Sequence, residues 1–213
     1  MLERRTRILT FTLIGLIAGF VVLSVFVSYF PESHIDLEFS EKVQKYRMPM
    51  LDVLMKLVSY PGYAWISVTM TAIIAVLFLA FKYKKEALFT MLTLLSGVVS
   101  TIIKAAVNRA RPSKDIVQVI EKTVQQSFPS GHTQFYVVFF GFMVIVMLTK
   151  RSLPAVLRIP VIVISLAFIF IIPFSRVYLG AHWFTDVLGG FLSGLICLWV
   201  LAWFYLRKRG DAV

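Results

Sequence analysis

Acidic side chains are scarce in this chain. Eleven Asp and Glu stand against 22 Lys and Arg, and all charged residues together make up 15% of the 213 positions. A soluble globular domain devotes about a quarter of its residues to charge, so a water-covered globule is excluded. Cysteine is nearly absent. Cys197 stands alone inside an apolar run, so no intramolecular disulfide can form and cysteine usage says nothing about redox compartment. It reads as a small core or lipid-facing residue. Internal repeats and low-complexity tracts are missing. The basic excess, a formal +11, lacks the continuous stripe of a nucleic-acid surface, because its charges lie in short clusters at the ends of apolar runs. No nucleic-acid partner is expected.

What is present is hydrophobicity: 59% apolar residues and a mean hydropathy of +0.83. That is the balance of a multispan membrane protein. The length suits one domain, residues 1–213. Arg4, Arg5 and Arg7 followed by the apolar run from Ile8 to Phe30 imitate a signal peptide. The run is too long for that and no small-x-small cleavage site follows, so it is expected to be an uncleaved first span. Six spans are predicted, at about 8–30, 61–81, 86–107, 132–149, 157–174 and 183–206. The expected fold is an all-α bundle of six transmembrane helices.

Orientation follows from Lys and Arg. With the N-terminus inside, every inside segment carries a cluster of three: Arg4, Arg5, Arg7; Lys82, Lys84, Lys85; Lys150, Arg151, Arg158; and Arg207, Lys208, Arg209. Both termini are therefore expected on the cytoplasmic face of the cell membrane. Between spans 1 and 2, Ile35, Phe39, Val43 and Tyr46 recur at helical spacing, with Asp36, Glu38, Glu41, Lys42, Lys45 and Arg47 on the other faces. This predicts a short amphipathic outer helix, capped by Ser33 and ended by Pro49. It either lies in the interface or packs on the bundle.

Three clusters carry chemistry: Lys104-x6-Arg111-Pro112, Pro129-Ser130-Gly131-His132, and Ser175-Arg176-x5-His182-x3-Asp186. Even numbers of crossings between them place all three on one, outer side. Together they supply three cations, two imidazoles and a carboxylate, the kit for breaking a phosphate ester without a metal. Asp186 lies four residues after His182; on a helix the two would share a face, and the carboxylate would accept from Nδ1–H and leave Nε2 as nucleophile. The bland alternative is that the pair only caps span 6. Arg111 and Arg176 can each grip phosphate oxygens with a forked guanidinium. Lys104 lies two helical turns before Arg111, on the same face one layer deeper if the helix persists, or else is a snorkelling anchor. Ser130 reads as an N-cap, Gly131 admits close backbone approach, and His132 lies where a leaving alkoxide needs a proton. A metal is disfavoured, because cations rather than carboxylates or thiolates accompany the histidines. Arg109 and Lys114 read as ordinary surface charges, and His34 as an interface residue. Asp52 and Asp115 lack ligand spacing. Trp183, Trp199, Trp203, Tyr63 and Tyr178 read as an interfacial aromatic belt.

In order, spacing and identity these eleven specified residues resemble the signature motifs of the type 2 phosphatidic acid phosphatase superfamily, from Lys104 to Asp186. The helix pattern extends the likeness over most of the chain. The resemblance implies a site at the outer membrane–water boundary, a membrane lipid phosphate as substrate, the bilayer as surroundings and no cofactor. It implies that His182 attacks phosphorus to form a phosphohistidine, with Asp186 orienting it. Lys104, Arg111, Arg176 and the Ser130 and Gly131 amides would hold the phosphoryl oxygens, and His132 would protonate the leaving group and then activate water. Family substrates include phosphatidate, phosphatidylglycerophosphate and undecaprenyl diphosphate; a short, bacterial-looking chain puts the last two first by analogy. Two other classes stay open: a vanadate-dependent haloperoxidase-like enzyme, disfavoured by the six spans, and a non-catalytic lipid-phosphate binder or transporter, disfavoured by the intact nucleophile and acid.

Overall fold

The computed structural model describes residues 2–121 and 123–207, with side chains from residue 7 onward; the side chains of Arg4 and Arg5, and all of Lys208 and Arg209, lie outside the described residues. Within that range the chain is helix and loop with no strand. The helices are α1 (Leu2–Tyr29), α2 (His34–Gln44), α3 (Pro49–Ser59), α4 (Ala64–Ala80), α5 (Lys84–Leu92), α6 (Leu95–Val107), α7 (Gly131–Thr149), α8 (Ala155–Tyr178) and α9 (Phe184–Leu206). A 3-10 turn, Tyr60–Gly62, joins α3 to α4.

Five stretches are long and apolar enough to cross a bilayer: Arg7–Tyr29, Lys84–Val107 (α5 and α6 together), α7, α8 and α9. A sixth candidate is broken. The segments Pro49–Gly62 and Ala64–Ala80 meet at 60°, and α4 has 17 residues, short of the roughly 20 that a straight crossing needs. The predicted outer connection therefore holds a second helix, α3. Pro49 starts that helix instead of ending α2, because a proline at the first helical position gives up an N–H that has no acceptor there anyway.

The bundle is organised around α7, whose residues Thr133 to Met143 are buried without a break. Phe135, Tyr136, Phe139, Phe142 and Met143 form the core with Ile169 and Ile172 of α8 and Tyr205 of α9. Helix α9 closes onto α7 through small residues. A Cβ on Gly190 would lie 2.5 Å from the Ser130 carbonyl, so only glycine permits this approach. At the opposite end of the bundle the buried Glu86 accepts from Lys150 Nζ at 2.7 Å and from Tyr205 O–H at 2.9 Å, which ties α5, the α7–α8 turn and α9 together. Helix α1 exposes Phe11, Ile14, Val21 and Val25, an apolar surface that only lipid covers well.

Helix α2 packs on the bundle with a mixed face, on which Phe39 of the expected apolar stripe lies against Phe184 with ring centroids 4.2 Å apart. Its buried residues are Asp36 and Ser40, while Ile35 and Tyr46 are exposed. Ser33 caps it as expected, accepting from the Asp36 N–H and donating to Asp36 Oδ2 at 2.7 Å. Asp36 turns inward beside that stripe because an arginine waits there for it.

Candidate active site

The C-terminal ends of α6 and α8 and the N-terminal ends of α7 and α9 share one end of the bundle, and they meet around a cavity of about 430 Å3. Lys104, Arg111, Gly131, His132, Arg176 and His182 all line it. These six residues, drawn from 78 positions of sequence between Lys104 and His182, are thereby brought within one pocket.

Helix α6 does not persist to Arg111. It ends at Val107, and Asn108 turns left-handed with φ 49°, so Arg111 returns to the pocket on a loop instead of stacking above Lys104. Lys104 is 5% exposed and donates Nζ to the Gln126 carbonyl at 2.6 Å and to Ser127 at 3.3 Å. Arg111 donates Nη1 to the Ala181 carbonyl and, at 3.2 Å, to His182 Nε2. That contact makes Nε2 an acceptor and assigns the proton to Nδ1. Burial first, then Arg176 close by, pulls the Arg111 guanidinium down to about 10, still a full cation at neutral pH. Burial also pushes His182 well below the usual histidine range, and Arg111, Lys104 and Arg176 add to it. The imidazole is thus neutral, with its Nε2 lone pair turned to the cavity side and engaged there by Arg111.

His182 does not lie on a helix with Asp186. It precedes α9, whose N-cap is Trp183, and Asp186 is the third helical residue. The pair still meets, with His182 Nδ1 3.5 Å from Asp186 Oδ2. The same carboxylate accepts from the Trp183 N–H at 2.9 Å and from Ser127 Oγ, so Asp186 caps the helix and faces the imidazole at once. Ser130 caps α7 by accepting from Thr133 N–H, and its own N–H donates to the Asp186 carbonyl at 2.9 Å, so the Ser130 amide expected to hold a phosphoryl oxygen is already taken. The His132 ring stands edge-on to Tyr63 at 5.4 Å, and a Cβ on Gly62 would fall 2.3 Å from its Cδ2, so the broken α3–α4 pair presses its bend against this histidine. Arg176 is fully buried, with Nη1 and Nη2 donating to the Glu121 carboxylate at 3.0 and 2.9 Å, and only Nε turned free.

A family model described as the PAP2 superfamily matches residues 85–209, a stretch that carries every one of these motif residues. The chain belongs to the PAP2 superfamily. Phosphatidylglycerophosphatase B of Bacillus subtilis (strain 168) is 25% identical over 194 residues, covering 90% of this chain and 93% of that protein. Among solved structures, a transmembrane PAP2-type phosphatidylglycerolphosphate phosphatase from Bacillus subtilis has the same fold: TM-score 0.79, 23% identity, 93% of this chain and 98% of that one. Aquifex aeolicus LpxE matches with TM-score 0.60 and 22% identity, over 80% of this chain and 96% of its own.

Several residues of this PAP2 site escape the motif pattern. Arg109 is no surface charge: it is 3% exposed and pairs with both Asp36 and Asp186. Trp183 and Tyr178 are buried and Tyr63 packs on His132, so these three leave the aromatic belt, whereas Trp203 stays exposed near the far end of α9. Ser100 and Thr123 line the cavity, and their buried hydroxyls have no hydrogen-bond partner among the described residues. Ser100 was within reach of helical spacing, one turn before Lys104. Thr123 and Glu121 lie on an irregular loop that periodicity cannot place.

Proposed function

We propose that this chain is an integral-membrane lipid phosphatase that hydrolyses a phosphomonoester or diphosphate of a membrane lipid through a phosphohistidine on His182. Phosphatidylglycerophosphate and undecaprenyl diphosphate are the leading substrates, with phosphatidate next. One observation carries the reading. Five buried polar side-chain atoms lack a hydrogen-bond partner among the described residues: Ser100 Oγ, Thr123 Oγ1, His132 Nε2, Arg176 Nε and His182 Nδ1. All five belong to residues lining the one cavity that also holds Lys104 and Arg111. His182 Nδ1 faces Asp186; the other four, unpaired and buried among cations, fit an oxyanion with several acceptor oxygens.

The chemistry follows from the positions. The His182 Nε2 lone pair attacks phosphorus as the bond to the lipid oxygen breaks. Lys104, Arg111 and the Arg176 Nε–H, with the first amides of α7, take up the charge on the equatorial oxygens. His132, protonated as the negative phosphate offsets the surrounding cations, gives its proton to the departing alkoxide or lipid phosphate and becomes neutral. It then accepts a proton from water, whose oxygen displaces Nε2 and releases inorganic phosphate. Asp186 holds the imidazolium formed on attack. The cavity continues from the cations to Val68, Leu94 and Phe135, apolar walls along which an acyl or prenyl chain can lie. Charge neutralisation by side chains removes the need for a divalent ion, so no metal or cofactor enters the reaction.

The test is phosphate release from a panel of lipid phosphates in detergent, with EDTA and then vanadate added. Turnover of at least one lipid phosphate, indifferent to EDTA and blocked by vanadate, is expected. Loss of activity in EDTA that a divalent ion restores would sink the metal-free mechanism.

A further inference from the structure

Asp186 has a second set of contacts that the phosphoryl chemistry does not use. Its Oδ1 accepts from Arg109 Nη1 at 2.6 Å, and Nη2 of the same guanidinium donates to Asp36 Oδ2 at 2.7 Å. The side chains are 1% exposed for Arg109 and 0% for both carboxylates. Thr185 braces the fork: its hydroxyl lies 2.7 Å from Arg109 Nη1 and 2.9 Å from Asp36 Oδ1, and its N–H donates to Asp36 Oδ1 at 2.8 Å. The Pro31 carbonyl takes the remaining donors of Arg109, at 3.0 and 2.7 Å. Asp36, Arg109 and Asp186 therefore alternate minus, plus, minus out of water, and the row ends at His182. Arg109 does not line the cavity, so it cannot be a fourth phosphate clamp.

Buried charges at these distances interact strongly. When His182 attacks, its ring becomes cationic, and its stabilisation depends on how much of the Asp186 charge it sees. Arg109 alone would draw that charge away from the imidazole. Asp36, on the other side of the guanidinium, holds Arg109 back and shares it. We propose that Arg109 and Asp36 are positioning residues for phosphoryl transfer: Arg109 fixes Asp186 against His182, and Asp36 sets the charge that Asp186 presents to the imidazole. Helix α2, which contributes no motif residue, is then part of the catalytic apparatus. This rests on the reading of His182 as nucleophile.

The test uses D36N, R109Q and the double variant D36N/R109Q of the full chain, with H182A alongside. All are measured in one detergent on the lipid phosphate that the parent turns over fastest. The three-residue row carries a formal −1 in the parent, 0 in D36N, −2 in R109Q and −1 again in the double variant. D36N is expected to lower kcat about tenfold and R109Q about a hundredfold, with KM and vanadate inhibition within about twofold of the parent. The double variant should regain at least about fivefold over R109Q, because it restores the charge that R109Q upsets. R109K, which keeps the charge but loses the fork, replaces R109Q if that variant does not fold, with the same loss of kcat at constant KM. A parental kcat in folded D36N, or losses that simply multiply in the double variant, would overturn the proposal. Activity retained by H182A would instead remove the nucleophile reading beneath it.

Discussion

His182 has no room to be charged. Three cations face it and the protein closes over it, so its pKa is held below the ordinary histidine value by burial and by Arg111, Lys104 and Arg176. The nucleophile proposed for this position needs that neutrality, and two consequences follow. His182→Ala should abolish phosphate release while leaving the melting temperature in detergent near the parent's; retention of more than about a tenth of parental activity would remove the residue from this role. The second consequence is a stability cost in acid. The unfolded chain binds a proton at His182 near pH 6.5, while the folded chain refuses it until well below. Stability is therefore unaffected by this group above about pH 6.5 and falls as pH drops beneath it, by up to about 1.4 kcal/mol per pH unit. Thermal unfolding followed from pH 7 to pH 5 should show a steeper decline for the parent than for His182→Gln. Equal slopes would show that the buried imidazole is not the group refusing the proton.

Helix ends, more than helices, build this site. Lys104 comes from the last turn of α6, His132 from the first of α7, Arg176 from the last of α8, and Asp186 from the first of α9. The loop between α6 and α7 then lays Glu121 across Arg176, a carboxylate in the bidentate posture that a phosphate would adopt. Glu121→Gln should consequently tighten vanadate inhibition several-fold, since an anionic competitor for the guanidinium is lost. Unchanged or weaker inhibition would mean that Glu121 serves to aim Arg176. Much at this scale was readable from sequence. Crossing a bilayer demands long apolar runs, so α1 and α5 to α9 announced themselves, and the ordered residues of the three motifs named the pocket. Two features were not readable. Helix α3 has only 11 residues and starts at a proline that ordinarily signals a stop. Arg109 looked like any loop arginine because Asp36, the partner that buries it, lies 73 residues earlier on a helix whose apolar spacing said nothing of a buried carboxylate. Local periodicity reports which residues are apolar, and it is blind to a polar face satisfied by a distant charge.

At the scale of the whole molecule, the motifs gather at one end and the Glu86–Lys150 pair, with Lys85 stacked over Tyr205, at the other. By the positive-inside rule the basic clusters make that second end the expected cytoplasmic one, and the cavity should then open to the other side of the membrane. With Cys197 changed to Ala, a cysteine replacing the fully exposed Val124 should react with a membrane-impermeant maleimide in intact cells. One replacing the exposed Lys84 should react only after the membrane is broken. The reverse labelling would invert the topology and place phosphate release inside the cell.

The reach of Asp36 also bears on how the protein is made. Its partner Thr185 lies 149 residues further along the chain, at the start of the last helix. During synthesis the ribosome delivers the carboxylate long before the threonine or Arg109 exists. Charge stranded in hydrocarbon is expensive, yet α2 is short and polar enough to wait in water at the membrane surface until α9 arrives. The catalytic row then closes last. On the proposed role of that row, a nascent chain still threading into its membrane should be inert, and hydrolysis should wait for the final helix.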